Sequence, residues 1–335
     1  MRAFLLFASA SLSFSQVFGQ EIAYDSSVNF LKPPANIHFG EVAGVATTSK
    51  GNILVFTRTG ENATAGASRI FTHGGSRLFE FDRNGKFIRE IGKDSYAFMY
   101  AAQVRVDPAD NVWVVDQMTN TVIKFDPQGR VTMLLGRKAE SVTIPARPLT
   151  GDGAGQPTDL FERPPAVAWD AAGNIFVADG LGNARIAKFD KDGKFVKSWG
   201  KKGTAPGEFA NVRSIAVDAQ GNVYAADGGN KRVQVFDNNG GFKTAFTNVG
   251  NAQALCLTKG ATPVLYVSNS NPPTDIDRDG EIYKMRLDGT VTGKFGRAGK
   301  LPKEFGTTNA IDCRTENTLY VGEIGNLRVQ KLALH

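Results

Sequence analysis

Short apolar runs alternate along the chain with tight polar clusters, and the apolar runs recur in pairs. Val104-Arg-Val-Asp-Pro-Ala-Asp-Asn-Val-Trp-Val-Val-Asp116 is one pair, repeated as Val167-Ala-Trp-Asp-Ala-Ala-Gly-Asn-Ile-Phe-Val-Ala-Asp179 and Ile215-Ala-Val-Asp-Ala-Gln-Gly-Asn-Val-Tyr-Ala-Ala-Asp227. Each predicts a strand, a tight turn made of Asp, Gly and Asn, and a second strand. A third strand then ends in Phe-Asp before a turn and a fourth strand: Phe81-Asp82-Arg-Asn-Gly85, Phe125-Asp126-Pro-Gln-Gly129, Phe189-Asp190-Lys-Asp-Gly193 and Phe236-Asp237-Asn-Asn-Gly240. Glycine supplies the positive φ such a turn demands, and the aspartate can bond the turn's own backbone.

Four antiparallel strands repeating every roughly 40 to 60 residues make a propeller blade. Looser copies begin at Gly44-Val-Ala, Ala254-Leu-Cys and Ala310-Ile-Asp, which brings the number to six. The predicted fold is all-β: a six-bladed β-propeller with four-stranded antiparallel blades, spanning residues 20–335. The last copy stops at its third strand, Arg328-Val-Gln-Lys-Leu332. Asn36-Ile-His-Phe-Gly40 has no other partner and is predicted to pair there, closing the ring and removing an exposed edge.

Loop lengths give the disc a functional face. Turns between strands one and two, and three and four, are short, whereas the long insertions Arg58–Arg77, Gly136–Pro165 and Asn269–Gly280 all fall on the opposite face. Long loops in a compact domain usually serve function or are disordered. A ligand site is therefore expected at the channel mouth on the insertion-rich face. Blade alignment rings that mouth with Ala43, Ala102, Pro165, Arg213, Gln253 and Asn309.

Composition adds the compartment. Met1-Arg2 precedes an uncharged apolar run, Ala3 to Phe14, which predicts a signal peptide over residues 1–19. The run is shorter than the roughly 20 residues of a bilayer span, so an exported protein, periplasmic or secreted and without a membrane span, is expected. Net charge is +6, but 39 basic residues are scattered among 33 acids. No basic patch forms, and no nucleic-acid partner is expected.

Two cysteines, Cys256 and Cys313, fall on inner strands of neighbouring blades, one residue out of step. An oxidising compartment would permit a bridge, yet alternation along a strand points the thiols to opposite faces and predicts buried free cysteines. Asp275-Ile-Asp277-Arg-Asp279-Gly280 matches the first half of a calcium loop, but position twelve is Arg286. A weak calcium site on Asp275, Asp277 and Asp279 and a solvated polar turn are both open.

Gly182-Asn183-Ala-Arg185-Ile and Gly229-Asn230-Lys-Arg232-Val resemble the NHL-repeat family. Asn52-Ile-Leu-Val-Phe-Thr-Arg58, Asn111-Val-Trp-Val-Val-Asp116, Gln156-Pro-Thr-Asp159, Val177-Ala-Asp-Gly180 and Asn183-Ala-Arg-Ile186 further resemble peptidyl-α-hydroxyglycine α-amidating lyases. That resemblance implies a channel zinc held by three histidines. The matching positions here are Ala102, Arg213 and Asn309. Alanine offers no donor and arginine no lone pair, so zinc is not expected. The family's catalytic tyrosine falls at Leu181, a substrate arginine at Gly228 and a calcium-binding acid at Ala310; only Arg58 matches. His38, His73 and His335 lie in unrelated segments.

Two functions follow. One is a non-catalytic binding protein, a pseudoenzyme holding a peptide, a small polar ligand or a protein through Arg58, Arg213, Gln253 and Asn309. The alternative is a metal-dependent carbon-nitrogen lyase of the amidating type with an altered site, in which Arg58 meets the substrate.

Overall fold

The computed structural model describes residues 19–59, 75–136, 160–272, 275–315 and 317–335. Residues 1–18, where a signal peptide is expected, His73 and most of the first two insertions lie outside these residues.

Six antiparallel sheets form the blades. Their innermost strands are Glu41–Thr47, Ala101–Val106, Ala166–Trp169, Val212–Val217, Ala252–Leu257 and Thr308–Thr315. Each packs on the inner strand of the next blade, and the sixth packs on the first. The ring is thus closed around a central channel. Second strands such as Val112–Asp116, Ile175–Asp179 and Val223–Asp227 are buried along their whole length, because blades cover both faces. Outer strands such as Phe195–Trp199 are largely exposed.

Apolar burial is divided into six wedges, one between each pair of neighbouring blades. Phe81, Phe125, Phe189 and Phe236, the phenylalanines of the Phe-Asp repeat, are all buried there. Their neighbouring aspartates close the turns. Asp126 Oδ1 accepts from the Gln128 and Arg130 amides at 3.0 and 2.9 Å, and Asp190 and Asp237 do the same in their own blades. Gly129 takes φ +88°, and in the blade-two turn Asp110 takes the same left-handed region at +61°.

The Asn-x-Arg motif is structural. Asp227, fully buried at the end of its second strand, accepts from Asn230 Nδ2 at 2.8 Å, from Arg232 Nε at 2.9 Å, and from the Ala210 and Asn211 amides. Asp179 with Asn183 and Arg185, and Glu323 with Asn326 and Arg328, repeat this clasp. It ties the loop entering each of these three blades to the second and third strands, and it satisfies a carboxylate that would be costly to bury alone.

Two expectations are corrected. The strand that closes blade six is Tyr24–Ser27, antiparallel to Arg328–Leu334 with Tyr24 opposite Leu334. Asn36–Gly40 instead lies against the wedge between blades six and one: Ile37 is buried there and Phe39 packs edge-on against Phe81, while His38 is exposed. The alternation of Ile37 and Phe39 marks packing of a loop, not a strand. Just before the closing strand, Gln20–Glu21 runs parallel to Val291–Phe295, so the N-terminal segment spans the outer edges of blades five and six.

Cys256 and Cys313 are joined in a disulfide, with Cα atoms 5.9 Å apart. The parity argument fails because two neighbouring blades face each other with opposite sides of their sheets: Ala254 and Cys256 point into the wedge from blade five, and Ile311 and Cys313 point into the same wedge from blade six. Thiols one residue out of step on adjacent inner strands therefore meet.

Candidate functional site

The predicted ring positions meet at the channel, but as a hydrogen-bonded plug. Asn309 Nδ2 donates to the carbonyls of Ala43 at 2.6 Å and Ala102 at 3.2 Å, while its Oδ1 accepts from Gln253 Nε2 at 2.8 Å. One amide therefore ties blade six to blades one, two and five. Gln103 Oε1 accepts from the Val167 amide at 2.8 Å and adds a link from blade two to blade three.

Arg213 sits beside this plug. Asn211, with its amide oxygen facing the guanidinium, accepts from Nη2 and Nε at 2.7 and 2.9 Å. Burial, and then the neighbouring Arg163 charge, push Arg213 below the usual arginine range. Arg58 is committed elsewhere. Its Nη1 pairs with Glu41 at 2.8 Å, its Nε donates to the Ala101 carbonyl at 2.8 Å, and the guanidinium lies 3.7 Å above the Tyr100 ring. Glu41, Tyr100 and Arg163 were not legible as site residues, since each lies outside the repeated motif and comes to the mouth only through blade packing.

A zinc ion does not fit this ring. Ala102 has no donor, Asn309 spends its amide on carbonyls, and Arg213 presents a fixed charge. At Gly228, a side chain would begin 2.6 Å from the Ala252 carbonyl oxygen, so an arginine there would need the backbone to move. Among the described residues, no three His, Cys, Asp or Glu side chains are grouped to hold a metal. The acids of the Asp275–Asp279 turn are not gathered. Asp275 lies 3.9 Å from Arg278, and Asn271 Nδ2 takes the Ile276 and Arg278 carbonyls at 3.0 and 2.8 Å.

A cavity of about 410 Å³ fills the rest of the channel. Its floor includes Asn309 and Gln103, and its rim is formed by Pro108, Ala171, Gln220 and Gly260. Those rim residues belong to the turns between first and second strands. The cavity therefore opens on the short-turn face, opposite the insertions on which a site was expected. Among the described residues no helix is long and apolar enough to cross a membrane.

Fold and channel together define a six-bladed β-propeller whose axis carries a polar plug and a cavity. The chain is homologous to amidating enzymes and to NHL-repeat proteins. Residues 160–247 match the family DUF5128, described as a 6-bladed beta-propeller. Peptidyl-alpha-hydroxyglycine alpha-amidating lyase 1 of Drosophila melanogaster is 27% identical over 331 residues, covering 89% of this chain and 58% of that protein. Human NHL repeat-containing protein 3 is 26% identical over 244 residues, covering 69% and 63%. The chain spans 20% of the rat amidating monooxygenase it matches. A solved streptogramin B lyase superposes with a TM-score of 0.58 at 13% identity, covering 93% of this chain and 98% of that one, which shows the shared fold alone.

Proposed function

We propose that this chain is an exported, non-catalytic binding protein on an amidating-lyase-like propeller, taking a carboxylate-bearing peptide, small polar ligand or protein at the insertion-face mouth of the channel. The observation that carries this reading is the Asn309 amide bridging the Ala43 and Ala102 carbonyls and Gln253. A lyase of this type needs neutral imidazoles around an open metal position; here the matching positions supply an amide already in use, a methyl group and a cation. Arg213 and Arg163, two positive charges near the plug, support an anionic ligand. The Cys256–Cys313 bridge supports an oxidising compartment.

The competing reading, an altered metal-dependent lyase, draws on the homology that runs across 89% of the chain. Elemental analysis of protein purified with added zinc separates the two, together with turnover of an α-hydroxyglycine peptide. The expected result is zinc well below one ion per chain and no turnover above buffer. Stoichiometric zinc, lost on chelation together with turnover, overturns the binding-protein reading.

A further inference from the structure

The wall of the 410 Å³ cavity carries an arrangement that neither the motifs nor the plug require. Three residues beyond the ring on each inner strand stand Ala46, Arg105, Ala168, Ala216, Cys256 and Asp312, and all six line the cavity. Four of these positions are small, which makes the space. The other two are opposite charges.

Arg105 Nη2 donates to the Ile215 and Leu255 carbonyls at 3.2 and 2.9 Å, which fixes the guanidinium across the channel from its own blade. Its Nε and Nη1 make no hydrogen bond to the described residues. Asp312 is held from the other side: Thr47 donates its amide to Oδ2 at 3.0 Å and its hydroxyl to Oδ1 at 2.8 Å. The two charges form no ion pair, although each borders the same cavity. An anchored guanidinium with unspent donors, facing an anchored carboxylate across a gap, is a pair that a bridging molecule would complete. Lys259 and Arg314 are matched in the lining by Asp170 and Asp218, so with Arg105 and Asp312 the cavity carries three cations and three acids, which suits a ligand without net charge.

We propose that the short-turn end of the channel is a second ligand site, on the far side of the Asn309 plug, for a small zwitterion of the free amino acid class. Its carboxylate meets Arg105 and its ammonium meets Asp312. The volume lies within the range of small-molecule pockets. This site is tested apart from the insertion-face reading and the zinc measurement, since Arg105 and Asp312 take no part in either; only Asn309 of the plug borders both.

Calorimetric and thermal-shift titration of the full chain with glycine, β-alanine and γ-aminobutyrate, beside acetate and ethylamine, tests it. At least one zwitterion is expected to bind saturably and raise Tm, while acetate and ethylamine at equal concentration do not. Arg105→Gln is expected to weaken that binding by about thirtyfold or more, as when one partner of a desolvated charge pair is removed. Asp312→Asn should erase the preference for the zwitterion over acetate, and Lys191→Ala, on an exposed outer turn, should leave binding unchanged. Should Arg105→Gln fail to fold, Ala168→Leu, which fills the same layer from an uncharged wall, is expected to block binding. Absence of saturable binding by all three zwitterions in the wild-type chain overturns the proposal and leaves Arg105 as a brace between blades. Binding that survives unchanged in Asp312→Asn and Ala168→Leu also overturns it.

Discussion

Single residues in this propeller divide into those that hold blades together and those that border the channel. The clasp of Asp227 with Asn230 and Arg232 belongs to the first kind. Arg232→Ala would leave a fully buried carboxylate without its cation, and the expected loss is about 3–5 kcal/mol in urea unfolding. Asp312 belongs to the second kind. Burial pushes its carboxyl above the usual range, against the bonds from Thr47. A raised pKa means that the folded state prefers the protonated form, so stability is fullest below the unfolded carboxyl's pKa and falls as pH rises through the folded one. Asparagine can keep both Thr47 contacts, with its oxygen on the amide and its nitrogen donating to the hydroxyl, and gives up only the 3.3 Å contact from the Arg314 amide. Asp312→Asn is therefore expected to be more stable than wild type near about pH 7 and to lose that advantage near about pH 4, as measured by denaturant midpoints at the two values.

At the scale of elements, the way neighbouring blades face each other decides what alternation along one strand could not. Opposite sides of adjacent sheets meet in each wedge, so Cys256 and Cys313, one residue out of step, come together there, and the bridge ties blades five and six at their innermost strands. It closes a loop of 57 residues. Replacing both cysteines by serine is expected to lower stability by about 2–4 kcal/mol, and reducing agent should lower the Tm of the wild-type chain but not of the double variant.

For the whole molecule, the decisive event is closure of the ring. The Arg328–Leu334 strand would be an open edge without Tyr24–Ser27, and open edges template association between chains. A chain lacking residues up to Ser27 is expected to scatter light on heating at a lower temperature than a chain that begins at Gln20. Closure also sets the channel geometry: Asn309 Nδ2 reaches the Ala102 carbonyl at 3.2 Å across the axis. Ala102→His, Arg213→His and Asn309→His together remove the plug and the cation. A zinc site near one ion per chain is the expected gain, read by elemental analysis and by metal-dependent Tm; a folded triple variant without zinc would count against the ring positions.

The repeats alone determined the blade count, the strand order within blades and the turn chemistry, because these rest on local rules: Phe81 and Phe236 at apolar positions, Asp126 and Asp190 bonding their own turns, glycine where φ is positive. They also marked Gln253 and Asn309 as ring neighbours, which the structure joins in one hydrogen bond. What required the tertiary structure was everything set by contact between blades. Tyr24-Asp-Ser-Ser27 carries one apolar residue and no alternation, so its pairing with the last strand was silent in the sequence. Arg105 and Asp312 lie more than two hundred residues apart, each an ordinary polar position in its own blade, and only the closed ring sets them around one cavity. The positions that the resemblance assigns to histidines, Ala102, Arg213 and Asn309, were legible one at a time. That an amide plug stands where those histidines would be, with a cavity behind it, follows from how six inner strands converge on one axis.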